Sequence, residues 1–160
     1  VAVPADVDET PLPDETPEAH VQRLALAKAR AVAADHPQDT VLGADTVVAM
    51  GSTIFGKPAD FAEARATLRR LSGHSHRVLT GVCLCRPLAE PEVWVSRTDV
   101  HFRDLTDETI SAYLDLVNPL DKAGAYGIQE HGEMIVDHID GLFSNVVGLP
   151  VEEVLSRLDG

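Results

Sequence analysis

The run Thr40–Met50, TVLGADTVVAM, constrains this chain more than any other segment. It is rich in β-branched residues and almost wholly apolar, the composition of a central, buried strand. One residue breaks the pattern. Asp45 belongs to a type disfavoured in strands, yet every neighbour argues burial. A buried carboxylate costs several kcal/mol unless it is paired, hydrogen-bonded or on a metal. Either the strand stops at Ala44 and leaves Asp45 and Thr46 exposed at its tip, or it continues and the carboxylate is held there for a purpose. Val47 and Val48, which follow at once, favour the second reading.

The elements around this strand announce themselves by their caps. Thr16, Pro17 and Glu18 open a helix that is expected to run to about Ala34. Gly51–Pro58 reads as a turn and loop. Asp60 with Glu63 forms a capping box for a second helix, which Ser72 and Gly73 end. Arg77–Arg86 and Val93–Phe102 read as an antiparallel strand pair joined through Pro87 and Pro91, and Thr106 caps a third helix to about Val117. Asp121–Gln129 reads as a small-residue loop, Glu133–Ile139 as a short strand, Gly141–Leu149 as a further loop, and the residues after Pro150 as a last helix. No internal repeat interrupts this order. The expectation is one α/β domain over residues 1–160, with a mixed twisted sheet flanked by helices.

Charge narrows the function. With 13 Lys+Arg against 26 Asp+Glu the formal charge is −13, which argues against a nucleic-acid polymer or an anionic membrane as partner. It leaves room for a small anion held through a divalent cation. At 44% hydrophobic residues a chain of this size buries roughly 70% of its unfolded surface and needs no staple. Its apolar runs fall far short of the ~20 residues of a membrane span, and no signal peptide opens it. Cys83 and Cys85, two apart in a strand, share a face without bridging, so buried thiols and a cytoplasmic setting are expected. The seven histidines show no metalloprotease or nucleophile–base pattern and read as surface or satisfied groups.

Three more residues depart from ordinary patterning. Lys28 lies in the apolar stripe Val21, Leu24, Ala25, Ala31, Val32 of the first helix, so it either snorkels past the edge or points into a site. Lys57 sits in Gly56-Lys57-Pro58, where a proline stiffens the loop; alone it would pass for a surface lysine. Gln129 ends a loop in which Gly124 and Gly127 let backbone approach a ligand. There is no Walker loop and no serine elbow. Carboxylates, lysines and a glutamine around small-residue loops suit phosphate chemistry.

Taken in order, the segments Asp6–Pro11 (DVDETP), Arg23–Ala29 (RLALAKA), Leu42–Val48 (LGADTVV), Gly56–Pro58 (GKP), Leu71–Gly73 with His76, Leu79–Val82 (LTGV), Asp121–Gln129 (DKAGAYGIQ) and Asn145–Pro150 (NVVGLP) resemble the Maf (septum-formation) family of nucleoside-triphosphate pyrophosphatases over essentially the whole chain. The resemblance implies an inosine-triphosphatase-like α/β fold with a cleft between two lobes, a homodimer, and hydrolysis of a nucleoside triphosphate to monophosphate and pyrophosphate with magnesium or manganese. By motif position it implies Asp45 as the water-activating residue. Glu9, Lys28, Lys57 and Gln129 would line the nucleotide and metal site, with Thr46 beside Asp45 and with Asp45 and Glu9 holding the metal. The form DKAGAYGIQ is similar to that of members acting on dTTP and UTP, which implies a pyrimidine substrate, either these or modified pyrimidine nucleotides. Three departures stand out: the family's opening strand and Ser-x-Arg-Arg loop are expected to be missing before Val1, Ala27 replaces a glutamate, and Leu142 replaces a serine. Thr67–Arg70 imitates the arginine pattern inside the second helix and reads as helix surface. The alternative is a weakly active nucleotide-binding regulator of septum formation.

Overall fold

The computed structural model describes residues 1–159. Helix α1 spans Pro17–Asp35, followed by strands β1 (Val41–Met50) and β2 (Thr53–Phe55), helix α2 (Phe61–Leu71), and strands β3 (Ser75–Cys85) and β4 (Glu92–Phe102). Then come α3 (Asp107–Leu116), β5 (Val136–Asp140), α4 (Phe143–Val147) and α5 (Val151–Leu158). The caps work as their residue types require. Thr16 Oγ1 accepts the Ala19 N–H at 3.1 Å, Asp60 that of Glu63 at 2.8 Å, and Thr106 that of Thr109 at 3.1 Å.

The strands pair in the order β2-β1-β3-β4-β5. The expected sheet flanked by helices is present, but a mixture of strand directions is not: every pairing is antiparallel. The β1–β2 and β3–β4 links are hairpins and the α3 connection also returns the chain reversed, whereas α2 carries it from β2 past β1 to β3 in the same direction. Strand β1 runs unbroken through Asp45, which pairs with Gly81 of β3, so it does not end at Ala44.

Three further local expectations change. The stretch expected as a turn and loop from Gly51 contains β2, because the turn folds Thr53–Phe55 back to pair with Val48–Met50. The stretch expected as a loop from Gly141 contains α4; this helix of β-branched and small residues forms because tertiary packing outweighs weak propensity. The strand expected from Glu133 starts at Val136, because Gly132–Met134 makes a 3₁₀ turn that buries Ile135. The cysteines are free and buried, with sulfurs 3.8 Å apart, and burial pushes the Cys83 thiol up to about 12.

Helix α1 alone covers one face of the sheet, packed on β1 and β3. It lies so close that a Cβ on Gly81 would stand 2.1 Å from the Val21 carbonyl oxygen, and one on Gly43 2.6 Å from that of Ala25. The opposite face carries two cores. Val48, Val78 and Val100 pack with Leu68 and Leu71 of α2 and Ile110 and Tyr113 of α3. Val82, Leu84 and Trp94 pack with Val154 of α5. Between them runs a polar row of cross-strand partners, Thr46, Thr80 and Ser96. Helix α4 seals the row: Asn145 Nδ2 lies 3.1 Å from the Val78 carbonyl, 3.2 Å from that of Ser96 and 3.1 Å from Thr98 Oγ1. Among the described residues, no helix is long and apolar enough to cross a membrane.

Candidate active site

Consecutive side chains of a strand point to opposite faces, so Asp45 looks towards α1 and Thr46 towards the polar row. Each anchors a separate group of charged and polar residues.

On the α1 face Lys28 Nζ lies 2.8 Å from Asp45 Oδ1 and 3.0 Å from Glu9 Oε1. The Asp45 side chain is only 10% exposed and that of Lys28 24%. Lys28 therefore points at these two carboxylates and does not snorkel past the edge. Burial works against its charge, but the hydrogen bonds to Asp45 and Glu9 outweigh burial and leave its pKa above the ordinary lysine value. The ammonium stays charged and faces two carboxylates. The cross-strand partner of Asp45 is Gly81, and its missing side chain is what lets α1 bring Lys28 this close.

Glu9 belongs to the irregular segment before α1, and that segment is clamped. Arg23 Nη2 donates to the Thr10 carbonyl at 3.1 Å, while Arg23 Nε and Nη2 reach the two Glu15 oxygens at 2.7 and 3.0 Å. The Arg23 guanidinium holds the Glu15 carboxyl down at about 2. The role of Arg23 and Glu15 in placing Glu9 is not evident in the sequence, because the Arg23–Thr10 contact reaches from α1 back into a proline-rich segment without periodicity.

On the other face Thr46, Lys57 and Gln129 line one cavity of about 360 Å³, together with Val48, Tyr126 and Gly148. Thr46 Oγ1 lies 2.8 Å from Thr80 Oγ1 and donates to the Gly148 carbonyl at 3.3 Å. Lys122 also lines the cavity but is engaged by Asp121 at 2.7 Å and Glu130 at 3.2 Å. Lys57 makes no ion pair among the described residues. Its loop is tied to the glycine loop by the Gly124 N–H donating to the Gly56 carbonyl at 3.2 Å. Gly124 has φ 75°, and a Cβ there would strike Val48. Tyr126 is braced from behind by His76, with Nε2 2.6 Å from the hydroxyl. Burial pushes the His76 imidazole down to about 4 and the Tyr126 phenol above its ordinary value. A larger hollow of about 760 Å³ opens between Val1–Val3 and Val41–Leu42, and none of these residues lines it.

The residues singled out in the sequence thus form two groups, Glu9–Lys28–Asp45 and Thr46–Lys57–Gln129. Asp45 and Thr46, adjacent on β1 with Cα atoms ~3.8 Å apart, anchor them on opposite faces of the sheet. Thr67–Arg70 lies outside both. Arg69 pairs with Asp107 at 3.0 Å and Arg70 stacks over Phe55, as expected of helix surface.

This is an α/β protein whose charged groups converge on one strand beside a cleft sized for a small ligand. A family model described as Maf-like protein matches residues 1–160. Three curated proteins, each named dTTP/UTP pyrophosphatase, align over nearly all of the chain. That of Nitratidesulfovibrio vulgaris is 47% identical over 158 residues, 99% of this chain and 75% of its own. That of Myxococcus xanthus is 50% identical over 155 residues, 97% and 78%. That of Deinococcus radiodurans is 45% identical over 164 residues, 100% and 84%. The chain belongs to the Maf-like protein family.

Proposed function

We propose that the protein hydrolyses dTTP or UTP to the nucleoside monophosphate and pyrophosphate. The observation that carries the reading is Lys28 holding Asp45 and Glu9 on one face of β1 while Thr46, Lys57 and Gln129 line a cavity on the other. The relatives' names supply the nucleotide class. The cleft takes the nucleotide, with Gln129 offering both donor and acceptor to it and Lys57 facing phosphate oxygens. The triphosphate reaches round the edge of β1 that β2 leaves unpaired before Val48, and there Asp45 takes a proton from water as the water oxygen attacks the phosphorus next to the ribose. The bond from that phosphorus to the bridging oxygen breaks, and pyrophosphate leaves with its charge met by the lysines.

Asp45 and Glu9 are hard oxygen donors of the kind magnesium and manganese prefer, and, once the Lys28 ammonium that bridges them moves aside, they would hold such an ion. When bound there, it supplies Lewis-acid polarisation of the phosphoryl oxygen. A nucleotide-pool enzyme of this kind works in the cytoplasm, and two free buried thiols agree with a reducing compartment. A homodimer fits too. Phe143, Val147, Val151, Leu155 and Leu158 are 44–55% exposed along α4 and α5, an apolar stripe beside the cleft that a second copy would cover. Sedimentation is expected to give a dimer that Leu155→Glu weakens; an unchanged dimer in that variant would place the contact elsewhere.

The test is turnover of a nucleotide panel with magnesium or manganese in oxygen-18 water. dTTP and UTP are expected to react fastest, with the label in the monophosphate. Label in the pyrophosphate would contradict attack at the ribose-proximal phosphorus. Binding without release across the panel would leave the regulator reading.

A further inference from the structure

Strands β4 and β5 carry a cluster away from the cleft. His101 and His138 are direct cross-strand partners, which sets their Cβ atoms about 5 Å apart. Their rings stack with centroids 4.0 Å apart and 12° between planes. Asp140, two residues past His138 on the same face of β5, brings Oδ2 to 3.1 Å from His101 Nε2. One ligand atom from each of the three lies within 4.8 Å of the others.

Both imidazoles are held from behind through Nδ1. His101 Nδ1 hydrogen-bonds Ser75 Oγ, and His138 Nδ1 donates to the Asp137 carboxylate at 2.7 Å. Nε2 of His138 is then the outward ligand atom of its ring, and Nε2 of His101 faces Asp140, with Ser75 Oγ at 3.5 Å; a hydrogen-bonded group behind the other nitrogen is the arrangement that orients metal-bound histidines. The patch also gathers like charge. Asp99 and Asp140 are cross-strand partners with Asp137 close by, and directly opposed carboxylates destabilise a ladder. Arg97 meets Asp99 at 2.9 Å, whereas no lysine or arginine among the described residues forms an ion pair with Asp137 or Asp140. The register shift at His101/Phe102 lies where the cluster forms, as bulges do where a side chain is re-aimed.

We propose that His101, His138 and Asp140 bind a divalent transition-metal ion of the zinc class, at a site separate from the Asp45 carboxylates. Two imidazoles and one carboxylate favour zinc, cobalt, nickel or copper over magnesium or calcium. To admit the ion, the exposed His138 ring turns out of its stack and the His101–Asp140 contact opens. The ion ties the five-residue edge strand β5 to β4, directly ahead of α4, which seals the cleft.

The test is titration of metal-free protein with zinc by calorimetry, and with cobalt(II) by visible absorption, in excess magnesium. One ion per chain is expected, with a cobalt spectrum of mixed nitrogen and oxygen ligation. His138→Ala is expected to weaken zinc about tenfold or more, and Ser75→Ala, which keeps all three ligands, by about tenfold. Circular dichroism checks the fold of each variant. His36→Ala and Asp45→Asn are expected to bind zinc as the parent does. Zinc held equally well by folded His138→Ala, or lost in Asp45→Asn, would overturn the assignment.

Discussion

Lys28 neutralises one of the two carboxylates it touches and fixes where both stand, at 2.8 Å from Asp45 and 3.0 Å from Glu9. Removing the ammonium while keeping its stem leaves a carboxylate side chain only 10% exposed without its counter-charge. Lys28→Met is therefore expected to cost about 1–3 kcal/mol in urea unfolding at pH 7. His76 offers a second test. Its folded value of about 4 lies below the 6.5 of the unfolded chain, so between these values the unfolded state binds the extra proton. The stability it contributes is whole above pH 6.5 and declines as pH falls towards 4, by on the order of 3 kcal/mol. Urea midpoints at pH 7 and pH 4.5 are expected to differ less in His76→Phe than in the parent, and an equal difference would remove His76 from the account.

At the scale of elements, the site depends on how near α1 comes to the sheet. Gly81→Ala places a methyl 2.1 Å from the Val21 carbonyl oxygen, a backbone clash that no rotamer relieves. Overpacking of this kind costs typically about 1–3 kcal/mol or more. The shift of α1 also carries Lys28 away from Asp45, so turnover is expected to fall along with the melting temperature; full activity in a destabilised protein would show that the spacing does not matter. Caps and long apolar runs made α1, α2, α3, β1, β3 and β4 legible in the sequence, because those signals are local. Asp45 and Lys28 stood out by breaking the pattern of a strand and a helix face. Lys57 and Gln129 did not stand out alone; their place came from the family resemblance. Helix α4 was hidden because Asn145 holds it through bonds to β3 and β4 that no local pattern encodes. The meeting of His101 with His138 was hidden likewise, since strand register decides it.

For the whole molecule, a charge of −13 means that an anionic substrate approaches against the overall field and is met only locally, by Lys57 and Lys28. The same antiparallel sheet that separates two cores on one face sets the cleft between them and backs it with the carboxylate cluster. The central claim is that this cluster does the chemistry for a nucleotide held in the cleft. The most direct measurement is pyrophosphate release from dTTP and UTP by the parent and by Asp45→Asn, with both folds verified by circular dichroism. The parent is expected to release one pyrophosphate per monophosphate formed, and Asp45→Asn to be slower by roughly 100-fold or more with KM little changed. Equal rates in the two proteins would contradict the claim.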